Sequence, residues 1–309
     1  MNADLYINDK TFAYNGCDSI ADIALKLAAF VELLTFVIPR KDDTFYLHES
    51  NFYETVLFDD GKCLSDILFI DEEIACYDGT LRDSIEVLRT IVSSCESTEL
   101  SDSEIVALLN DDRKCTGLVV LNKQPNYPIT NEKQILSDKK SWYEFHRNYL
   151  CKNPPATTDM FIDETKLYFE NLVIHPDNVV SLRKVYRTHL KQIVSYLICL
   201  NDCILDEFRR KTDYENDFVG FLRYFKSQHS EIIEDASFEG SYKNENEKQK
   251  FTKKFTIDSE EQEVLCEPHL KMNKDDNGKI RKFCRIYFKS LKKDDKFVYV
   301  GIITDHIKK

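Results

Sequence analysis

Glycine is scarce in this chain, with eight among 309 residues, and that scarcity removes whole classes of chemistry. Neither G-x-x-x-x-G-K nor G-x-G-x-x-G occurs, so no glycine-rich loop cradles phosphates and P-loop nucleotide hydrolysis is not expected. H-E-x-x-H and G-x-S-x-G are also missing, which sets aside zincins and nucleophile-elbow hydrolases. No repeat of 20 to 50 residues is visible, so solenoids and propellers are not expected. A disulfide framework is absent too. The ten cysteines, at 17, 63, 76, 95, 115, 151, 199, 203, 266 and 284, are scattered without paired spacing and without a leader-like stretch ahead of them. Reduced thiols in a cytoplasm are the expectation. The longest apolar stretch, residues 20–38, is interrupted by Asp22, Lys26 and Glu32 and preceded by Asp18 and Ser19 as helix caps. It reads as a core helix, and no membrane association is expected.

Charge is present, and it is unevenly placed. Residues 241–309 hold 17 Lys and Arg against 12 Asp and Glu, a net +5, whereas residues 1–240 hold 25 against 42, a net −17. A basic segment on an acidic body suggests that the segment meets a polyanion while the body restrains it or acts elsewhere.

Apolar periodicity outlines an α+β protein with a mixed N-terminal body, a helical middle segment and a C-terminal antiparallel four-stranded sheet. Within the body, Leu81, Ile85, Leu88 and Val92 fall on one helical face, and Ser101-Asp102-Ser103-Glu104 forms a capping box ahead of Ile105. Residues 117–121 read as a buried strand. Pro154 and Pro155 end a helix and place a boundary, giving a 1–152 domain, a mainly helical 153–240 segment and a basic β-rich 241–309 domain. An apolar stripe runs over 179–210, and a helix is expected at 218–225. Residues 239–250 are polar and read as a linker or exposed loop. Strands are expected at 251–257, 263–267, 282–289 and 297–304, as a meander.

The chemistry-bearing residues concentrate in the last strands. In Arg281-Lys282-Phe283-Cys284-Arg285-Ile286-Tyr287-Phe288-Lys289, alternation points Cys284, Ile286 and Phe288 to the core and sets Arg281, Phe283, Arg285, Tyr287 and Lys289 on the other face. Interleaved cations and aromatics suit single-stranded nucleic acid, the cations neutralising phosphates and the aromatics stacking bases. Arg281, Lys282, Phe283 and Lys289 are the candidate nucleic-acid contacts. A solvated face with one aromatic folded over a neighbouring strand fits the same pattern. An antiparallel neighbour brings Glu267, His269 and Lys271 beside Arg285 and Tyr287, and His306 lies near the end. These six are the candidate catalytic residues for RNA cleavage, in which the 2′-hydroxyl is a built-in nucleophile and neither metal nor cofactor is needed. His269 as a satisfied turn residue and Lys271 as a surface charge is the alternative. Cys199-x-x-x-Cys203 is read as buried structural cysteines, because no His or second Cys pair is spaced to complete a zinc site. Trp142, Phe145, His146 and Arg147 read as core packing plus surface polar groups.

The progression PHLKM, RKFCRIYF, KFVYVGIITDHIKK resembles the C-terminal half of RelE/ParE-type toxins over about 45 residues, with Lys271, Arg281, Arg285, Tyr287, Lys308 and Lys309 matching in kind and order. The resemblance implies a ribosome-associated mRNA endonuclease or a gyrase inhibitor, acting through basic and aromatic residues on a small sheet. More loosely, the whole chain resembles long uncharacterised bacterial proteins through Cys266 to Lys271, Arg285 to Phe288, Gly301 to His306, Trp142 to Arg147 and Tyr168 to Leu172. That association implies a toxin-like or anti-phage defence role. The expectation is an RNA-directed protein, a metal-independent ribonuclease or RNA binder, with RNA or the ribosome and a protein as partners. The rival is a non-catalytic interaction component of a defence system that docks its partner through an acidic surface.

Overall fold

The computed structural model describes residues 1–40, 43–58, 61–74, 76–77, 79–121, 129, 131–239, 242–257, 259–280, 283–305 and 307. The chain is α+β and divides into two compact units, Met1–Tyr149 and Leu150–Lys309.

The first unit is built on five short strands, β1 (Asp4–Ile7), β2 (Thr44–Leu47), β3 (Glu96–Ser97), β4 (Thr116–Val119) and β5 (Ile135–Leu136), in the order β3-β2-β1-β4-β5. Every pairing is parallel, within the expected mixture of helices and strands. This is the order of a doubly wound sheet, in which the strand order reverses between β1 and β4 while the strands stay parallel. The helix Ile20–Val37 opens on a capping box in which Ser19 and Asp22 exchange hydrogen bonds. It packs against the helix Gly79–Val92, whose Leu81, Ile85, Leu88 and Val92 are buried. The Ser101–Glu104 capping box forms and starts the helix Asp102–Leu109. Ile105 and Leu109 of that helix join Tyr6, Leu118 and Val120 in one apolar cluster.

In the helix Lys139–Lys152 the expected surface polar groups are buried instead. His146 and Arg147 are 0% and 4% exposed. For His146 the reason is Asp43: one carboxylate oxygen accepts from Trp142 Nε1 (2.7 Å) and lies 2.9 Å from His146 Nε2, and the other accepts from Ala3 N (3.0 Å); Arg147 lies over the Tyr143 ring, 5.4 Å from its centre. A buried carboxylate needs that many partners to offset its lost hydration.

The second unit corrects the expected meander. Its main sheet has five strands, β6 (Leu172–Ile174), β7 (Asp235–Phe238), β10 (Pro268–Met272), β11 (Cys284–Phe288) and β12 (Val298–Thr304), in the order β6-β12-β11-β10-β7. β6 runs parallel to β12 and the other pairings are antiparallel. The remaining two strands, β8 (Thr252–Ile257) and β9 (Glu260–Leu265), form a separate hairpin whose turn carries Ser259 at φ 68°. Pro268 causes the break: it cannot donate to a continuing ladder and occupies the first position of a new strand. The expected 153–240 and 241–309 segments are therefore not separate, because β6 and β7 border the sheet whose centre is β10 to β12.

The continuous helical stripe of 179–210 is also interrupted. Non-helical backbone at His189 and at Cys203 divides it, and the helices Tyr186–Asp202 and Ile204–Arg210 follow one another. Within 239–250, read as a linker, the described residues include the short helix Glu245–Gln249. It is capped by Asn244, and the Glu247 carboxylate accepts from Lys243 N (2.8 Å).

One face of the sheet, with Leu270, Met272, Cys284, Ile286 and Phe288, is wholly buried. Tyr196 reaches this sheet from its helix by donating to Lys271 O (3.0 Å). On the other face the hairpin lies over part of the sheet. Phe251, Phe255, Val264 and Cys266 pack there on Tyr287, Tyr299 and Ile302. No helix among the described residues is long and apolar enough to cross a membrane.

Candidate functional site

The strand register sets His269 opposite Tyr287 and Lys271 opposite Arg285 on one face, with Ser237 and Asp235 opposite His269 and Lys271 on the outer side. Four of the six candidate catalytic residues thus share a surface three strands wide. His269 is at its centre, 1% exposed. Its Nδ1 lies 3.1 Å from Glu267 O, its Nε2 lies 2.9 Å from Ser237 Oγ, and its ring packs on Tyr287 at 4.6 Å. A carbonyl can only accept, so Nδ1 carries the proton and Nε2 presents a lone pair to the serine hydroxyl. Burial lowers the imidazole pKa to about 4, so the ring is neutral near pH 7.

Beside it, Arg285 Nη1 reaches Glu239 Oε1 (3.3 Å) and the Tyr287 hydroxyl (3.1 Å). Arg285 Nε is enclosed and has no acceptor among the described residues. Glu239 Oε1 also lies 3.9 Å from His269 Nε2, beyond hydrogen-bond distance, so the carboxylate is held by Arg285 and not by the neutral imidazole. Lys271 Nζ donates to Asp235 (3.1 Å) and keeps part of its side chain exposed. Burial, followed by the nearby Glu267, raises the Tyr242 hydroxyl pKa beyond its ordinary value.

The other sequence candidates fare differently. Glu267 contributes its carbonyl to His269 Nδ1 and Glu239 N, and its carboxylate faces Tyr242. Tyr287 is fully buried between His269 and Phe251, so the expected base-stacking role is corrected: the hairpin covers the ring. Lys289 is drawn to Asp295 (2.5 Å), after a register shift between Tyr287 and Phe288. Phe283 is exposed at the entry to β11. Arg281, Lys282 and His306, with Lys308 and Lys309, lie outside the described residues.

Ser237 and Glu239 were missed as candidates, although Asp235, Ser237 and Glu239 alternate with Ala236 and Phe238. That period of two marks a half-polar strand. Reading 239–250 as a linker hid its end.

The first unit holds a second constellation that motif searching could not reveal. A cavity of about 200 Å³ sits at the carboxyl ends of β1 to β3, lined in part by Asn8, Asp9, Lys10, His48, Ser101 and Asp102. Asn8 is 2% exposed and its Nδ2 has no acceptor among the described residues. Burial, with Asp102 adding to it, raises the Asp9 carboxyl pKa.

Comparison of the chain with protein families, with curated proteins and with solved structures finds no match.

Proposed function

We propose that this chain acts on RNA through the face formed by Ser237, Glu239, His269, Lys271 and Arg285, as a metal-independent endoribonuclease. The observation that carries the reading is the Arg285 guanidinium, with an unused Nε donor, beside an imidazole aligned by the Glu267 carbonyl. A phosphodiester taking the place of Glu239 on Arg285 frees that carboxylate to accept the 2′-hydroxyl proton. The phosphate charge beside His269 raises the imidazole pKa from about 4 toward neutrality. As the 2′-oxygen bonds to phosphorus and the bond from phosphorus to the 5′-oxygen breaks, protonated His269 gives its proton to the leaving oxygen. Lys271 and Arg285 stabilise the extra negative charge of the phosphorane. The products are a 2′,3′-cyclic phosphate and a 5′-hydroxyl. A toxin-like or defence role in a bacterium fits such an activity.

The test uses the full chain and a 5′-labelled single-stranded RNA in the presence of a metal chelator. Cyclic-phosphate ends are expected, with no cutting of the DNA of the same sequence, and His269→Asn or Arg285→Lys is expected to slow cleavage by about 10² or more. Cleavage unchanged by both substitutions contradicts the assignment. RNA bound but uncut limits the face to binding, and RNA neither bound nor cut favours the interaction protein.

A second reading has its own observation. Asn8 Oδ1 accepts from Lys10 N (3.1 Å), but its Nδ2 has no acceptor among the described residues, and this donor in the cavity at the carboxyl ends of the parallel strands favours a small polar ligand there, the position at which open α/β sheets take ligands.

A further inference from the structure

Cys199 in the helix Tyr186–Asp202, Cys203 at the junction and Glu207 in the helix Ile204–Arg210 lie four residues apart, and the backbone bonds from Cys203 N to Cys199 O (3.1 Å) and from Glu207 N to Cys203 O (3.0 Å) keep them on one side across the junction. His229, the residue that closes the helix Phe218–Gln228, meets that side. One ligand atom from each of Cys199, Cys203 and His229 lies within 4.8 Å of the other two. This corrects the expectation that no histidine completes the cysteine pair: the partner is 26 residues beyond Cys203 in sequence, and the fold closes the gap.

The geometry points to a site for a zinc-class divalent cation held by the Cys199 and Cys203 sulfurs and a His229 ring nitrogen. Two thiolates and an imidazole form a donor set that favours zinc over magnesium or calcium. Tetrahedral zinc with bonds of about 2.3 Å to sulfur and 2.0 Å to nitrogen keeps its ligand atoms about 3.5 to 3.8 Å apart. The observed spacing reaches that with small side-chain adjustments.

Glu207 provides an independent observation. Its Oε1 is 2.7 Å from His229 Nε2, while its Oε2 is enclosed with no partner among the described residues. A carboxylate gripping one nitrogen of an imidazole while the other faces a cation is the usual outer arrangement of a metal-bound histidine. We therefore assign Nδ1 to the ion and Glu207 a positioning role. His229 itself is fixed by its backbone bond to Phe225 O (3.1 Å) and by ring contact with Phe225 at 4.5 Å. The fourth ligand position is left for water. The ion would tie the helix Phe218–Gln228 to the helix line carrying the cysteines.

The test measures zinc and cobalt binding by the purified full chain. Near one zinc per chain after desalting is expected, and cobalt(II) should give intense thiolate-to-metal charge-transfer absorption. The Cys199→Ser/Cys203→Ser pair should abolish both signals, although eight other cysteines remain. His229→Gln and Glu207→Gln, which preserve side-chain size, should fold and weaken zinc binding about 10- to 100-fold. Chelation should lower the melting temperature of the wild type but not of the double variant. If the double variant does not fold, the two Gln variants decide the matter. Zinc affinity unchanged in both, or a wild type that retains no zinc and shows no charge-transfer band, overturns the site.

Discussion

His269 combines near-complete burial with a pKa lowered to about 4, and this has a defined consequence for stability. Its folded-state value lies below the ordinary 6.5 of an unfolded histidine, so the unfolded chain takes up the proton first as pH falls. The stabilising contribution is fully present above about pH 6.5, is lost between there and about pH 4, and amounts to roughly 3 kcal/mol at most. Denaturant unfolding of the wild type against His269→Asn across this range should show that slope disappear in the variant. Arg285 and Glu239, each with 14% of the side chain exposed, form the other sensitive pair. Arg285→Ala leaves the carboxylate enclosed without its cation and should cost about 2 to 4 kcal/mol in a denaturant midpoint experiment. Arg285→Met combined with Glu239→Leu should recover most of that loss. Alternation alone made His269, Lys271, Arg285 and Tyr287 legible as one face. The burial of Tyr287 was not legible, because it depends on a hairpin more than 20 residues away in sequence.

At the level of elements, the hairpin β8–β9 determines how much of the sheet face is open. It approaches β12 closely only because residue 301 is glycine: a Cβ there would lie 2.4 Å from Cys266 Sγ and 3.0 Å from its Cβ. Gly301→Ala should therefore destabilise the chain by about 1 to 3 kcal/mol in thermal or chemical unfolding, and adding Cys266→Ala should reduce the loss. The helices were largely readable from the sequence, since the Ser19 and Ser101 caps and the Leu81 to Val92 stripe are local signals. Strand pairing was less so. β3, β5 and β6 span only two or three residues, too short for alternation to register. The parallel order of the first sheet depends on crossovers that no local pattern encodes.

Across the whole molecule, the charge division does not follow the folded units. Met1–Tyr149 carries 14 basic and 27 acidic residues, whereas Leu150–Lys309 carries 28 and 27. The unit that holds the basic segment is thus nearly neutral, so on the proposed RNA-directed reading the attraction would rest on local cations such as Lys271 and Arg285. RNA affinity should then fall only gently with salt, with a log–log slope of about −1.5 to −2 for two to three phosphates, rather than the steep slope of an extended basic surface. Because β6, β7 and the covering helices complete its sheet, residues 241–309 alone should not fold, whereas 150–309 should unfold cooperatively in a calorimetric scan. The most direct test of the RNA-directed face is a titration of the full chain with ¹⁵N-labelled histidine, with and without a saturating RNA oligonucleotide, the His269 signal being identified by its loss in His269→Asn. RNA is expected to move the His269 pKa upward from about 4 toward neutrality; a titration midpoint unchanged at saturation contradicts a role of this face in RNA cleavage.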